Sequence, residues 1–388
     1  MKKIIVIVAF LALFRPVSAF FPYFFGARSL ALGYSSLAFN YDCNAVYLNP
    51  ALLNSLAAPL GGYQYASSFL DHQDFSGLLQ KISAVNLGDF QNLDAARKND
   101  LWERMQEVFS LKSGINGFQL KNPGYAGKGY GLAVAFVDSA IVFPLDSDIL
   151  AKPVETVTNA DIAALRMCFI GFHYTSYSFA FSFSLAQGVA VGGAVHYLKG
   201  RAGQFDLAIT AVPFQPSAGT KEYLQYAWDA AQNDFSKLNF DLGISADLGA
   251  YFKAGLVVRN AANPLIATGV SELRLSRRMI AGLTFRPDKQ LGISLDIDVA
   301  KSDLYYNGQK VQPVSLGVEK GFSQNKFFLR VGMLNDLAAT YFLGRNAKVI
   351  YGVGLGFNLA SFLVDVAMGL DGSGKVKNLA VSGFYLIR

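Results

Sequence analysis

Apolar and polar side chains alternate without interruption over residues 290–299. In an extended chain Leu291 and Leu295 share one face, whereas Asp296 and Asp298 share the other. This period of two predicts a β-strand with one apolar and one polar face. Such a strand suits a soluble sandwich, which buries its apolar face, or a membrane barrel, which turns its apolar face to lipid.

The alternation recurs down most of the chain, in segments that approach the roughly 9–11 residues a tilted strand needs to cross a bilayer. The clearest segments are 178–185, 189–197, 241–248, 252–259, 279–285, 291–299, 314–319, 327–333, 349–358, 362–368 and 378–388. All candidates together predict about 14 strands, with 16 also possible, because single-chain bacterial barrels have even strand numbers. We therefore predict an all-β fold, a transmembrane antiparallel β-barrel.

Composition favours the barrel over the sandwich. The chain is 52% hydrophobic, yet beyond its N-terminus no segment approaches the roughly 20 apolar residues of a helical membrane span. Aromatic residues make up 14% of the chain, and there are 37 glycines. Aromatic girdles mark the two interfaces of membrane proteins, and glycine fits tight turns and close backbone approaches.

The N-terminus predicts export. Lys2 and Lys3 precede an apolar run of eleven residues, and small residues end at Ala19. This pattern indicates a signal peptide over residues 1–19, since a membrane anchor needs about 20 apolar residues. Its removal takes away three basic residues, including Arg15, and lowers the formal charge from +6 to +3. That charge gives no reason to expect a nucleic-acid partner, and we expect the outer membrane of a Gram-negative-type bacterium.

Residues 20–58 form a module without clean alternation ahead of the predicted barrel, residues 59–388. Pro50 suits the first turn of a short helix that ends at Leu56, and it favours an extended Asn49. Two insertions interrupt the strands. Helical spacing of apolar residues predicts two amphipathic helices within residues 77–110 and another within 217–237. Such insertions belong outside the bilayer, where irregular backbone is tolerated.

No constellation of catalytic or metal-binding residues is evident. The three histidines, His72, His173 and His196, have no metal-ligand spacing, and no cysteine pair accompanies them. Cys43 and Cys168 could form one disulfide or remain two buried thiols. We expect no metal, no cofactor and no enzymatic activity. An enzymatic barrel would need a Ser or Asp beside a His on its membrane-facing rim.

Two regions together resemble a known group. Gly26-Ala-Arg-Ser-Leu-Ala-Leu-Gly33, followed by Asn49-Pro50-Ala51, resembles the N-terminal plug of the FadL-like outer-membrane superfamily. The segments 317–321, 329–332 and 352–356 are similar to the closing strands of its PorV-like and conjugal-transfer-TraF-like branches. The resemblance implies a barrel of about 14 strands with residues 20–58 as a hatch inside it.

The resemblance leaves two functions open. Some members pass hydrophobic small molecules inward through a lateral opening in the wall, whereas PorV-like members act as surface scaffolds or shuttles for secreted proteins. Asn49, Pro50 and Ala51 are the candidate ligand or gating residues of the hatch. The motif either packs the plug or moves when a ligand binds. Outer-membrane lipid is the expected partner of the outer face.

Charged residues on the polar faces of the strands form a second candidate set. They are Asp241, Asp247, Lys253, Arg259, Asp296, Asp298, Glu319, Arg330 and Asp365. Glu319 and Arg330 fall near opposite positions of one hairpin, which predicts a cross-strand ion pair. We expect Glu319, Arg330, Asp296, Asp298 and Asp365 to brace the wall and the plug. The alternative is a polar track along which the hatch rearranges.

Overall fold

The computed structural model is a closed antiparallel barrel of 14 strands. It describes residues 26–38, 42–71, 75–83, 85–110, 114–145, 147–211, 225, 227–229, 231–275, 277–303, 310–338, 349–359, 361–372 and 374–387. The predicted signal peptide and the first residues of the predicted hatch, 20–25, lie outside the described residues. Among the described residues, no helix is both long and apolar enough to cross a bilayer.

Each barrel strand pairs with its neighbour in the chain, and the last strand closes the ring by pairing with the first. The barrel strands are β1 (Leu60–Asp71), β2 (Ile115–Gly127), β3 (Tyr130–Pro144), β4 (Arg166–Ala186), β5 (Val189–Ala208), β6 (Asn233–Asp247), β7 (Phe252–Arg259), β10 (Arg278–Phe285), β11 (Leu291–Asp298), β14 (Pro313–Phe322), β15 (Phe327–Asp336), β16 (Val349–Leu359), β17 (Phe362–Leu370) and β18 (Val376–Leu386). Two short hairpins lie in the loops, β8–β9 (Leu265–Ala267 and Glu272–Arg274) and β12–β13 (Ser302–Asp303 and Lys310–Val311). The predicted strand number is therefore confirmed.

The two faces of the wall follow the alternation. On β11, Leu295 is 43% exposed on the outside, whereas Asp298 is 1% exposed on the inside. On β18, Leu379 and Tyr385 are exposed on the outer face. The outer face of the barrel is rich in exposed aromatic and aliphatic residues, as a surface in contact with lipid requires.

The two ends of the barrel differ. Connections of two to five residues join the strands at one end, whereas those at the other end run from five to 43 residues. Bacterial outer-membrane barrels have short periplasmic turns and longer extracellular loops. The short-turn end, where β1 begins and β18 finishes, therefore faces the periplasm.

The N-terminal segment, which we define as residues 26–38 and 42–58, lies inside the barrel. Its helix α1 (Ala27–Ala31) packs against β15–β18, whereas its 3-10 helix Pro50–Ser55 packs against β3–β6. Helix α2 (Ala45–Leu48) lies between them in the chain, and all its residues are buried. The segment therefore bridges opposite sides of the wall. The predicted helix from Pro50 is confirmed as a 3-10 helix that ends one residue early.

A helical cap, residues 75–83, 85–110 and 147–165, covers the outer face of the barrel at its long-loop end. Its α-helices are α3 (Phe75–Ser83), α4 (Ala95–Ser110) and α5 (Asn159–Ala164). They pack on Val142, Phe169 and Leu207, which lie on the outward faces of strands that extend past the lipid-facing band. Helices α3 and α4 occupy the region where two helices are predicted within residues 77–110, and α3 begins two residues before that range.

The helix predicted for residues 217–237 is only partly correct. Residues 227–229 are helical, and residues 212–224, 226 and 230 lie outside the described part of the chain. Strand β6 already begins at Asn233, however, so residues 233–237 are extended. Phe235 lies within the range of the predicted helix, but it pairs with Gly200 and is buried in a cluster on the inner wall. Cross-strand pairing outweighs the local helical spacing.

Candidate functional site

The Asn49-Pro50-Ala51 motif joins the N-terminal segment to the wall. Asn49 is extended (φ −158°, ψ 103°), as the residue before a proline prefers. Its Oδ1 accepts a hydrogen bond from the N–H of Ala51 at 3.1 Å. Its Nδ2 donates to the carbonyls of Leu37 at 3.2 Å and Ile244 at 3.1 Å. One buried amide thus caps the 3-10 helix, ties two parts of the segment together and holds them to β6.

A glycine on the inner face of the wall leaves space for the backbone of this motif. A Cβ added to Gly192 of β5 would lie 2.5 Å from the backbone N of Ala51 and 2.6 Å from the carbonyl carbon of Pro50. Only glycine leaves room for so close a backbone approach. Asn49, Pro50 and Ala51 therefore lie inside the barrel against its wall, while their role in a hatch and in gating stays a prediction.

Buried charges brace the opposite half of the barrel. The predicted pair of Glu319 and Arg330 is confirmed, with Arg330 Nε donating to Glu319 Oε2 at 2.6 Å. Arg330 also contacts Asp365 Oδ1 at 2.5 Å, and Arg28 of α1 contacts Glu319 Oε1 at 2.9 Å. The network therefore links three wall strands to the N-terminal segment. Sequence reasoning missed Arg28, because no local pattern indicates a partner 291 residues away.

The remaining inner charges of the candidate set also have partners. Asp296 Oδ2 accepts from the N–H of Leu37 at 2.8 Å, so this carboxylate holds the N-terminal segment. The guanidinium nitrogens Nε and Nη2 of Arg278 donate hydrogen bonds to the carboxylate oxygens of Asp298, at distances from 2.5 to 2.9 Å. Lys253 Nζ donates to Ser55 Oγ at 2.7 Å. These contacts favour the bracing role over a polar track.

An interior cavity of about 80 Å³ lies between the N-terminal segment and the long-loop end. Tyr47 of α2 borders it on one side, and Leu275, which follows β9, borders it on another. The β8–β9 hairpin packs against the inner faces of β4–β6 and covers this part of the barrel. The other lining residues are Phe118, Leu120, Ala135, Val137, Tyr174, Ser176, His196, Leu198, Asn239, Asp241, Arg259, Asn260 and Arg278.

The cavity has an apolar wall and a polar corner. Phe118, Leu120, Val137 and Leu198 form the apolar wall on β2, β3 and β5. Sequence reasoning missed these residues because an apolar residue that faces inward breaks the alternation rule for a polar lumen. The sequence signal that could have revealed this apolar wall is the weak alternation of β2, in which the apolar residues Phe118 and Leu120 are two positions apart.

A groove of about 670 Å³ lies on the outside of the same wall. It is bordered by His173, Lys199 and Trp228, and His173 Nδ1 lies 2.7 Å from Asp138 Oδ1. Val137 and Tyr174 border both the groove and the interior cavity. Between the two spaces the wall is therefore only one strand layer and these side chains thick.

The structure brings together three residues that resemble a hydrolytic triad. Ser178 Oγ lies 2.8 Å from His196 Nδ1, and His196 Nε2 lies 3.2 Å from Asp241 Oδ2. Ser178 Oγ also contacts the hydroxyl groups of Tyr47 and Ser176 at 3.1 Å, and it does not line the cavity. β4 is paired on both sides, so the backbone of β4 itself offers no free N–H pair as an oxyanion hole beside Ser178. The arrangement is suited to holding α2 against the wall rather than to nucleophilic attack.

Two other findings concern candidate chemistry. Cys43 and Cys168 are both free and buried. Within the described ranges, no group of three His, Cys, Asp or Glu side chains is arranged to hold a metal ion. His173 and His196 each lie near one carboxylate, on opposite faces of the wall.

Comparisons with known proteins agree with this architecture. The toluene transporter TodX of P. putida has a similar structure, with a TM-score of 0.54 and 11% identity, covering 94% of this chain and 99% of that one. The Ralstonia pickettii toluene transporter TbuX gives a TM-score of 0.52 at 12% identity, over 94% and 98%. A Pseudomonas aeruginosa FadL homologue gives 0.53 at 11%, over 94% and 98%. At these identities the similarity establishes the fold.

Sequence comparison supplies the family. No curated protein matches the chain. The model of the family described as "F plasmid transfer operon, TraF, protein" matches residues 46–298, which run from α2 to the end of β11. The barrel, its lipid-facing surface and its short-turn end are those of an outer-membrane protein of a Gram-negative-type bacterium. The chain therefore belongs to this TraF family, and its fold is that of the toluene transporters and the FadL homologue named above.

Proposed function

We propose that this barrel admits hydrophobic small molecules across the outer membrane. The observation that carries the proposal is the apolar wall of the interior cavity, formed by Phe118, Leu120, Val137 and Leu198. Other apolar residues of the inner face, such as Phe384 and Ile170, are packed in buried clusters, whereas these four also border open space. The apolar wall gives a hydrophobic solute a place to leave water inside the lumen. The toluene transporters named above share the fold, and this similarity supports the proposal.

The route begins at the long-loop end and passes the β8–β9 hairpin to reach the cavity. Exit is sideways, through the thin part of the wall that Val137 and Tyr174 form between the cavity and the outer groove. A lateral exit releases an apolar solute into the bilayer, so the solute never has to return to water. This path avoids the part of the lumen that the N-terminal segment fills.

The N-terminal segment must move before a solute the size of an aromatic ring can fit into the interior cavity. The cavity measures about 80 Å³, whereas an engineered apolar cavity that holds benzene measures about 150 Å³. Tyr47 borders the cavity and lies two residues before Asn49. Displacement of Tyr47 therefore pulls on the Asn49-Pro50-Ala51 motif, which gives these residues their proposed gating role.

The proposal is tested by uptake into vesicles that contain the purified barrel. The panel consists of toluene, other aromatic hydrocarbons and long-chain fatty acids, each compared with empty vesicles. We expect at least one class to enter faster than into empty vesicles. Uptake no faster than into empty vesicles across the whole panel would refute the channel.

A surface scaffold for secreted proteins is the second candidate function. The observation that favours it is the exposed charged face of α4, which includes Arg97, Glu103 and Glu107. The helical cap presents this face on a fixed platform, and the N-terminal segment fills much of the barrel. Crosslinking followed by pull-down is expected to recover an exported protein or a secretion component. Loss of that protein in a charge-reversed α4 variant would support the scaffold, and recovery of assembly machinery alone would count against it.

The proposal includes no catalytic step. Ser178, His196 and Asp241 lie in line, but Ser178 is enclosed by hydroxyl groups and does not face the cavity. Hydrolysis of a panel of ester substrates that is lost in the Ser178→Ala variant would contradict this part of the proposal.

A further inference from the structure

The polar corner of the interior cavity contains a buried hydrogen-bond acceptor, the side-chain oxygen of Asn239, that has no partner among the described residues. Asn239 is inward-facing on β6, 4% exposed, and lines the cavity. Its Nδ2 donates to Asn260 Oδ1 at 2.6 Å. Its Oδ1 is buried and accepts no hydrogen bond from any residue that the structure describes. A buried polar atom without a partner is costly, so this oxygen favours any occupant that brings a donor.

The charged groups around the corner already make contacts within the protein, and the acidic one, Asp241, disfavours an anionic ligand. Asp241 accepts from the backbone N–H of Asn260 at 2.8 Å and lies beside His196. Arg278 is paired with Asp298, and Arg259 donates to the carbonyl of Leu48 at 3.2 Å. A carboxylate placed here would add an anion next to Asp241, and Arg278 is already paired with Asp298. The cavity therefore fits a neutral molecule.

We infer that the cavity takes a small neutral hydrophobic molecule that carries one hydroxyl group, with the hydroxyl donating to Asn239 Oδ1 and the apolar body lying against Phe118, Leu120 and Val137. This inference rests on the proposed function and narrows its substrate class. A hydrocarbon leaves Asn239 Oδ1 without a partner, and an ether supplies only a second acceptor. A hydroxyl supplies the missing donor.

The test is direct binding to the purified barrel in detergent, measured by calorimetry with p-cresol, anisole and toluene. p-Cresol and anisole are isomers of similar size that differ in whether the oxygen carries a hydrogen. Because a buried hydrogen bond is worth about 1 kcal/mol, we expect p-cresol to bind several-fold to about tenfold more tightly than anisole. Equal binding of the two isomers, tighter binding of anisole, or no binding of either would overturn the inference.

A matched pair of variants isolates the amide. Asn239→Leu keeps the approximate size of the side chain and removes the acceptor, and it should reduce the p-cresol to toluene affinity ratio several-fold. Asn335→Leu removes a half-buried amide that does not line the cavity, and it should leave the ratio unchanged. An unchanged ratio in Asn239→Leu contradicts the inference. If that variant does not fold, the comparison of the two isomers on the natural chain still decides the outcome.

The binding test and the vesicle test fail independently. Uptake of hydrocarbons without any preference for the hydroxyl would leave the channel standing and remove the role of Asn239. Selective binding of p-cresol without uptake of any solute would establish the ligand site and refute the channel.

Discussion

Replacement of Arg330 by methionine should strongly destabilise the barrel. The Arg330 side chain is 1% exposed and bridges Glu319 at 2.6 Å and Asp365 at 2.5 Å. Glu319 would keep its contact with Arg28 at 2.9 Å. Asp365 would keep no ion pair with any described residue, and its Oδ2 already has no hydrogen-bond partner among them. The variant thus leaves the buried carboxylate of Asp365 without an ion-pair partner.

The expected loss follows from that geometry. Removal of one partner from a buried ion pair typically costs about 3–5 kcal/mol, because the remaining charge stays desolvated. The second variant, Asp365→Asn, removes the stranded charge, so the double variant should lose less than the sum of the two single losses. Residues within one network typically show a coupling of about 0.5–3 kcal/mol. The coupling should fall in the upper part of that range, because the Arg330–Asp365 pair is fully buried.

The assay is urea unfolding in detergent, followed by tryptophan fluorescence and by the heat-dependent shift in gel migration of folded barrels. Arg104→Met on α4 is the matched control, since its partner Asp100 is in contact with solvent. We expect the control to unfold nearly as the natural chain does. A loss below about 1 kcal/mol for Arg330→Met, or additive losses in the double variant, would refute the bracing role.

Three further predictions concern the N-terminal segment and the helical cap. Gly192→Val should cost about 1–3 kcal/mol through overpacking and push the segment off the wall, so that buried Cys43 reacts faster with a maleimide. Tyr47→Ala should enlarge the cavity and raise the uptake of naphthalene relative to toluene, at a stability cost of about 3 kcal/mol. Hydrogen bonds from Lys152 and Thr158 lower the pKa of Asp161 to about 2, so Lys152→Ala should raise that pKa toward its ordinary value of about 3.9 in an NMR titration. Because the folded-state pKa is depressed, the stabilisation of α5 is complete above about pH 4 and is lost as the pH falls toward 2, which amide hydrogen exchange measures.

Each of these predictions has an outcome that contradicts it. The Cys43 experiment uses a Cys168→Ser background, with Gly383→Val as the control, since an added Cβ there has no neighbour within 4 Å. Equal rates of Cys43 labelling in the two glycine variants would mean that the position of the N-terminal segment does not depend on its close contact with Gly192. An unchanged naphthalene to toluene ratio would show that Tyr47 does not limit the cavity. An unshifted Asp161 pKa would show that Lys152 does not hold this carboxylate.

The strands were predictable because one physical rule governs nearly all of them. Outward positions contact lipid and inward positions contact the filled lumen, so residues such as Leu295 and Asp298 alternate along the chain. The pair of Glu319 and Arg330 followed from hairpin register, which is local. The predicted location of Asn49-Pro50-Ala51 followed from its resemblance to a known plug.

The interior was much less predictable. Arg28 meets Glu319 only because the barrel closes around the N-terminal segment, and no spacing in the sequence records that contact. Asn239 is one polar residue among many on inner faces, and only the three-dimensional arrangement shows that its Oδ1 is left without a partner beside an apolar wall. Phe235 falls in the predicted helix because the helical spacing before β6 continues by chance into the strand.

The most direct test of the channel is to block the interior cavity and leave the lipid-facing side of the same strand as the control. Ala135 is buried and lines the cavity, whereas Val134 lies on the opposite face of β3. In vesicle uptake with toluene, Ala135→Phe should reduce the rate to that of empty vesicles, and Val134→Phe should match the natural chain. Unchanged uptake in a folded Ala135→Phe barrel would contradict the claim that solutes pass through this cavity.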